Sequence, residues 1–229
     1  MFDDTALSAK LRRSATSVGV RGSALVPLSY GSVAGELAIC MRTVGLVDRE
    51  DLRALTVEAD PTALDRALGR RFAAGLAPGE ASVADELWGR IDAREAVAIV
   101  SVDRLPALLE ELRAELGPAA GGVAVSPLVA IGIVGPATPG LLTDLGVYGA
   151  LVRNGAGGTI ATAALAGSPA TWMLLDDSWA LVLVEPAHVS RGWDEIGAAG
   201  RRFGLGYVGA EAAERFELAR RQCGERADR

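Results

Sequence analysis

Lysine is almost missing from this chain: Lys10 stands alone among 229 residues, and the other basic side chains are all arginine. The bias points to a bacterial source with a GC-rich genome. It also removes the lysine that a G-x-x-x-x-G-K-[ST] phosphate loop requires, since Lys10 sits in no such context. Histidine is nearly absent as well. His188 is the single imidazole, no G-x-S-x-G elbow accompanies it, and it fits a surface or helix-capping position better than a hydrolytic triad. The two cysteines, Cys40 and Cys223, are far apart and have no metal-type neighbours. They are expected as reduced thiols, and no metal site is expected. Aromatic residues make up 5% of the chain, so the core has to be built from Ala, Val and Leu.

Positive charge is in deficit too. A net charge of -6 leaves no basic face to displace counterions, which argues against nucleic acid. The arginines of the tail, Arg220, Arg221, Arg226 and Arg229, are interleaved with Glu225 and Asp228 as on a solvated terminus. One stretch, 116–143, lacks any charged side chain and is long enough to cross a bilayer. Pro118, Pro127, Pro136 and Pro139, with Gly121, Gly122, Gly132 and Gly135, cut it into strand-length pieces. The opening MFDDTALSAKLRR is acidic and has no apolar core, so it does not read as a signal peptide. A cytoplasmic protein without membrane contact is the expectation.

What is present is periodicity. Residues 52–59 alternate as a strand; Asp60 and Pro61 supply an N-cap and a first-turn proline, and Leu64, Leu68 and Phe72 follow at helical spacing. A turn at 77–79, a strand over 82–91, a strand over 95–102, a helix over 103–117 ending at Gly117 and a strand over 122–126 complete a β-α-β-β-α-β order. Before this unit the sequence predicts a helix over 5–14, a strand over 23–29 and a helix over 32–43 capped by Ser32. After it come a buried strand from Val129, a short helix over 137–145 and a hairpin turn at 154–158 between apolar strands. Strands over 171–176 and 178–185, a helix over 187–202, a strand near 205–209 and a helix over 211–222 follow. The expected fold is α+β with two packed lobes. Residues 1–50 with 127–229 form one, and residues 51–126 form an inserted ferredoxin-like, split βαβ lobe.

The glycines do not make a nucleotide site. Gly132-Ile133-Val134-Gly135 and Gly155-Ala156-Gly157-Gly158 match no phosphate-cradling spacing and read as turn formers. Asp85 and Glu86 are adjacent carboxylates, and on a strand they would face opposite sides. One of them remains a candidate acid, base or cation stabiliser.

Four segments carry a resemblance. Tyr30-Gly31-Ser32, followed by Met41-Arg42 and Gly45 to Asp48, resembles the "YGS…RxxxGxxD" entry of the glycine-cleavage T-protein, or aminomethyltransferase, family. ASVADELW at 81–88 resembles its "GGxxDDLxV" segment, Gly135-Pro136-Ala137 its "GPxA" turn, and Trp193 with AAGRRFGLGYVGAEA at 198–212 its closing stretch. The family resemblance implies a folate-binding core that holds tetrahydrofolate in a central funnel. Asp85 inherits the catalytic acidic position near the reacting amines, and Tyr30, Arg42 and Ser101 become the candidate cofactor-binding residues. Ala81-Ser82 stands for the paired glycines, Ser101 for an Asn, and Ala213 and Glu217 for residues that are commonly Arg. No segment resembles the family's C-terminal barrel.

The segment 171–196 also resembles the small gamma subunit of heterotetrameric sarcosine oxidases, which serves assembly. That resemblance implies an accessory or structural subunit of a folate-linked amine-oxidising assembly, partnered by flavoprotein oxidoreductase subunits. A divergent stand-alone one-carbon enzyme, using tetrahydrofolate or another small molecule, and a self-associating binding module without a ligand stay open beside it.

Overall fold

The computed structural model describes residues 6–117, 120–152 and 158–227. In chain order it runs α1 (Ala6–Ser14), β1 (Ser17–Arg21), β2 (Ala24–Ser29), α2 (Val33–Arg42), β3 (Gly45–Asp48), β4 (Leu52–Ala59), α3 (Pro61–Arg71), β5 (Glu80–Val83), β6 (Leu87–Arg90) and β7 (Glu95–Ser101). It continues with α4 (Leu105–Leu116), β8 (Ala120–Val125), β9 (Val129–Val134), α5 (Thr138–Asp144), α6 (Tyr148–Leu151), β10 (Gly158–Leu165), β11 (Ser168–Asp176) and β12 (Trp179–Val184). The last elements are α7 (Val189–Gly200), a 3-10 turn at Arg201–Phe203, β13 (Gly206–Tyr207) and α8 (Ala210–Ala227). No helix among the described residues is long and apolar enough to cross a membrane.

The helix starts have local causes. Ser32 accepts a hydrogen bond from the Gly35 N–H, and Asp60 accepts one from the Thr62 N–H with Pro61 in the first turn. Gly117 ends α4 at φ 51, in the left-handed region that favours glycine.

Eleven strands form one curled sheet in the order β13-β3-β9-β12-β11-β10-β5-β6-β7-β4-β8, with β1 and β2 as a separate ribbon. Within it, β6-β7-β4-β8 is the split βαβ order. The curl lays one half of the sheet over the other. Val97 and Ile99 of β7 and Leu181 and Leu183 of β12 share the core between the halves. The alternate residues point outward beneath helices: Ala96, Ala98 and Val100 pack under α3 and α4, and Ala180, Val182 and Val184 pack with α1, α5 and α7. Strands covered on both faces read as unbroken apolar runs, which is why these segments lack polar alternation.

Three expectations change. The strand over 82–91 is a hairpin, β5 and β6, turning at 84–86 with Val83 opposite Leu87, because Asp85 and Glu86 favour a turn over a ladder. The segment before residue 153 is helix α6 rather than a strand, and the turn expected at 154–158 falls mostly on 153–157, outside the described residues. The strands β1 and β3 were not anticipated. The side chains of Cys223 and of the tail beyond Arg220 also lie outside the described set.

The two sheet halves are continuous through a seam of two residue pairs, Gly158 with Ala81 and Thr159 with Glu80. A Cβ on Gly158 would lie 2.7 Å from the Ala81 carbonyl oxygen, so the seam closes only over a glycine.

Candidate functional site

Strand parity builds the site. Residues that continue the inner face past the central core emerge at its rim: Val83 of β5, Leu87 of β6, Ile99 and Ser101 of β7, and Trp179 and Leu181 of β12. They line a cleft of about 220 Å³, together with Arg49, Asp85, Glu86, Arg104 and Glu217. A second hollow of about 270 Å³ adjoins it, sharing Val83, Trp179 and Glu217 and adding Leu175, Asp176, Phe216 and Arg220.

The charged groups of the cleft other than Asp85 are matched within the protein. Arg49, 7% exposed, donates from Nε and Nη2 to both oxygens of Asp51 at 3.0 and 3.1 Å and from Nη1 to Glu217 Oε1 at 2.8 Å. Burial disfavours its charge, but attraction from Asp51 and Glu217 outweighs that and raises its pKa. Its stem runs past Gly132, where a Cβ would stand 3.4 Å from Arg49 Cγ. Glu86, 7% exposed, accepts from Arg104 Nε at 3.2 Å, while both Nη atoms of Arg104 bind Glu111 at 2.7 and 2.8 Å. In the adjoining hollow, Arg220 pairs with Asp176.

Three polar groups in the cleft wall stand outside these pairs. Asp85 is exposed at the hairpin tip, and no hydrogen bond or ion pair among the described residues holds it. Ser101 is exposed at the end of β7, and its hydroxyl makes only a long 3.4 Å contact with the Arg104 N–H among the described residues. The indole Nε1 of Trp179 is buried without an acceptor.

Asp85 and Ser101 therefore meet in one cleft, and Tyr30 and Arg42 do not line it. Tyr30 lies tilted against Tyr207, 6.0 Å between ring centroids, and packs on the core under α1 and α7. Arg42 is exposed in the last turn of α2. The Tyr30 segment is instead held by Glu36: its Oε1 accepts from the N–H groups of Tyr30 and Gly31 at 2.7 and 3.0 Å, and its Oε2 from that of Gly209 at 2.8 Å. Gly135 is structural as well. It lies at φ 126, and a Cβ there would be 2.5 Å from the Thr43 carbonyl oxygen. His188 occupies the N-cap position of α7 without a side-chain capping bond, its Nε2 3.7 Å from Glu185. Among the described residues no group of acidic, His or Cys side chains could hold a metal.

Arg49, Arg104, Trp179 and the cleft position of Glu217 were missed in sequence. A usable signal existed for one of them: Trp179 precedes Leu181 and Leu183 in parity, just as Ser101 follows Val97 and Ile99.

No family model matches the chain, and no curated protein matches it by sequence. Solved structures do match. The glycine cleavage system aminomethyltransferase T of Bartonella henselae superposes with a TM-score of 0.70 at 15% identity, over 93% of this chain and 61% of that one. A chain of the heterotetrameric sarcosine oxidase of Corynebacterium sp. U-96, solved in complex with pyrrole 2-carboxylate, matches with a TM-score of 0.58 at 19% identity, over 78% of this chain and 96% of that one. The fold is aminomethyltransferase-like, and the chain spans about three-fifths of the length of the transferase it resembles.

Proposed function

We propose that the protein is an accessory or structural subunit of a folate-linked amine-oxidising assembly, with residues 1–50 and 127–229 as one lobe and 51–126 as the other. One observation carries this reading: the buried charges of the cleft neutralise one another. Glu86 is engaged by Arg104, and Glu217 by Arg49. A reduced pterin presents a row of donors along its pyrimidine edge and needs a carboxylate free to accept them. These two carboxylates do not offer that, and Asp85, which lies outside the pairs, stands exposed at the hairpin tip rather than in the buried wall. The residues present do not fit tetrahydrofolate, and no transfer step is drawn through it.

The match over nearly the full length of a heterotetramer's chain agrees with a role in assembly. Tagged protein purified from its native host is expected to bring a flavoprotein oxidoreductase with it. Recovery of the chain alone would count against the reading.

A second reading, a stand-alone one-carbon enzyme using tetrahydrofolate or another small molecule with Asp85 as its acid–base group, draws on the unpartnered Trp179 Nε1 and the unheld Asp85. Calorimetry with tetrahydrofolate separates the two. No heat is expected, whereas binding that Asp85→Ala abolishes would favour the enzyme.

A further inference from the structure

Away from the cleft, Asp48 ends β3 with its side chain on the same face as Leu46, toward the core beneath α1. It is 4% exposed, and its Oδ2 has no hydrogen-bond partner. A carboxylate in that position carries a desolvation cost that one backbone N–H and a distant guanidinium do not cancel. Its surroundings are unusually rich in charge. Glu50 and Asp51 lie in the turn that follows, Arg53 reaches over from β4, Arg12 comes from α1, and the Tyr30 phenol approaches from the segment after β2. Beyond Tyr30 stand Glu36 of α2 and Tyr207 of β13. The Tyr30 hydroxyl is buried and has no hydrogen-bond partner.

The same turn anchors α1. Ser8 donates to one oxygen of Glu50, and Arg12 Nη1 donates to the other at 3.4 Å and to the Leu25 carbonyl oxygen at 3.1 Å. Leu7 and Leu11, from the same helix, complete the core next to Leu46. Glu50 thus faces α1 on one side and the buried carboxyl on the other.

We propose that Asp48 is a pH-operated catch for α1: with its carboxyl protonated the helix is held down, and with it ionised the helix docks loosely. The proton passes to solvent. The charge left behind repels Glu50 and Asp51 and competes with Glu50 for Arg12, one of the contacts that fasten the helix. Burial first, then the charges of Glu50 and Asp51, pushes the carboxyl up to about 7, against the Glu50 N–H and Arg12, which pull it down. Because the folded value lies above the unfolded one, the protonated form's contribution to stability is complete below about pH 4 and is lost as pH rises through about 7.

Hydrogen exchange of the amides of residues 8–14, corrected for intrinsic rate, tests this on the full chain. Protection is expected to fall about tenfold between roughly pH 5.5 and pH 8.5 in the wild type and to stay level in Asp48→Asn. Glu50→Gln supplies a second readout, since removing one repelling charge moves the midpoint to lower pH. A wild type without the fall, an equal fall in Asp48→Asn, or an unmoved midpoint in Glu50→Gln overturns the proposal.

Discussion

Arg49 and Glu217 are 168 residues apart in the chain and meet in the wall of the cleft, Nη1 to Oε1 at 2.8 Å. The pair fastens α8 to the end of β3, and Asp51 completes it from the adjoining turn. A buried cation shared by two carboxylates is costly to remove alone, because the attraction that offsets the burial of the carboxylates is lost.

Arg49→Leu is accordingly expected to lose about 3–5 kcal/mol of unfolding free energy in urea. Adding Asp51→Asn and Glu217→Gln should recover part of that loss. A single substitution that costs no more than an exposed ion pair would show that the network does not hold the fold.

Gly209 lies where a Cβ would be 2.1 Å from the Leu28 carbonyl oxygen, while its N–H donates to Glu36. Backbone cannot yield as a side chain can. Gly209→Ala is expected to destabilise the protein by about 2–3 kcal/mol, read as a lower midpoint in thermal or denaturant unfolding. Gly149→Ala, where no atom lies within 4 Å of the added carbon, is the neutral comparison.

The Cys40 thiol is fully buried, and burial pushes it up to about 12, with Glu36 and Glu217 adding to the rise against its backbone hydrogen bond. In a Cys223→Ser background the native protein should therefore release no colour with a disulfide reagent near pH 8, and unfolding should release one equivalent. The sign for stability follows from the raised value. The thiol's contribution is intact below about pH 8.5 and is lost as pH rises toward about 12.

Ser101 and Ala98 sit on opposite faces of one strand. Ser101 opens into a cleft of about 220 Å³, and Ala98 is fully buried beneath α3 and α4. Ser101→Phe should change stability by less than about 1 kcal/mol, whereas Ala98→Phe should cost several times as much or prevent folding. Similar losses at both positions would mean that the cleft is not open in solution.

Much of this architecture was legible wherever its cause is local. Ser32, Asp60 with Pro61, and Gly117 mark helix ends through bonds or torsions reaching only a few residues. The apolar runs of β7 and β12 marked them as strands. The hairpin at 84–86 was misread because a long strand and two short ones share the same alternation. The strand β3 was not legible, since Gly45–Asp48 is four residues long and is held by partners near residues 131–134 and 206. The cleft suffered most from distance. Asp85, in the turn before β6, and Ser101, at the end of the neighbouring β7, were singled out in sequence, but the groups that neutralise the site come from residues 49, 104 and 217, which only the curl of the sheet brings together. Tyr30 and Arg42 stood out through resemblance, and the segment they mark is held by Glu36 at a different place in the molecule.

The pairing of β4 with β8 has a kinetic consequence. Residues 52–125 contain their own core, and the register that sets Leu55 against Val125 leaves the two ends of this segment side by side. Until it folds, β3 and β9 are separated by a flexible loop of about eighty residues, and joining them carries the entropy of closing it. Once it has folded, Asp48 and Ile131, which pair directly, are only a few residues from each end of a finished unit. A finished 52–125 unit turns a slow, long-range search into a local one, so this segment is expected to gain protection in pulse-labelling hydrogen exchange before the β3–β9 pairing.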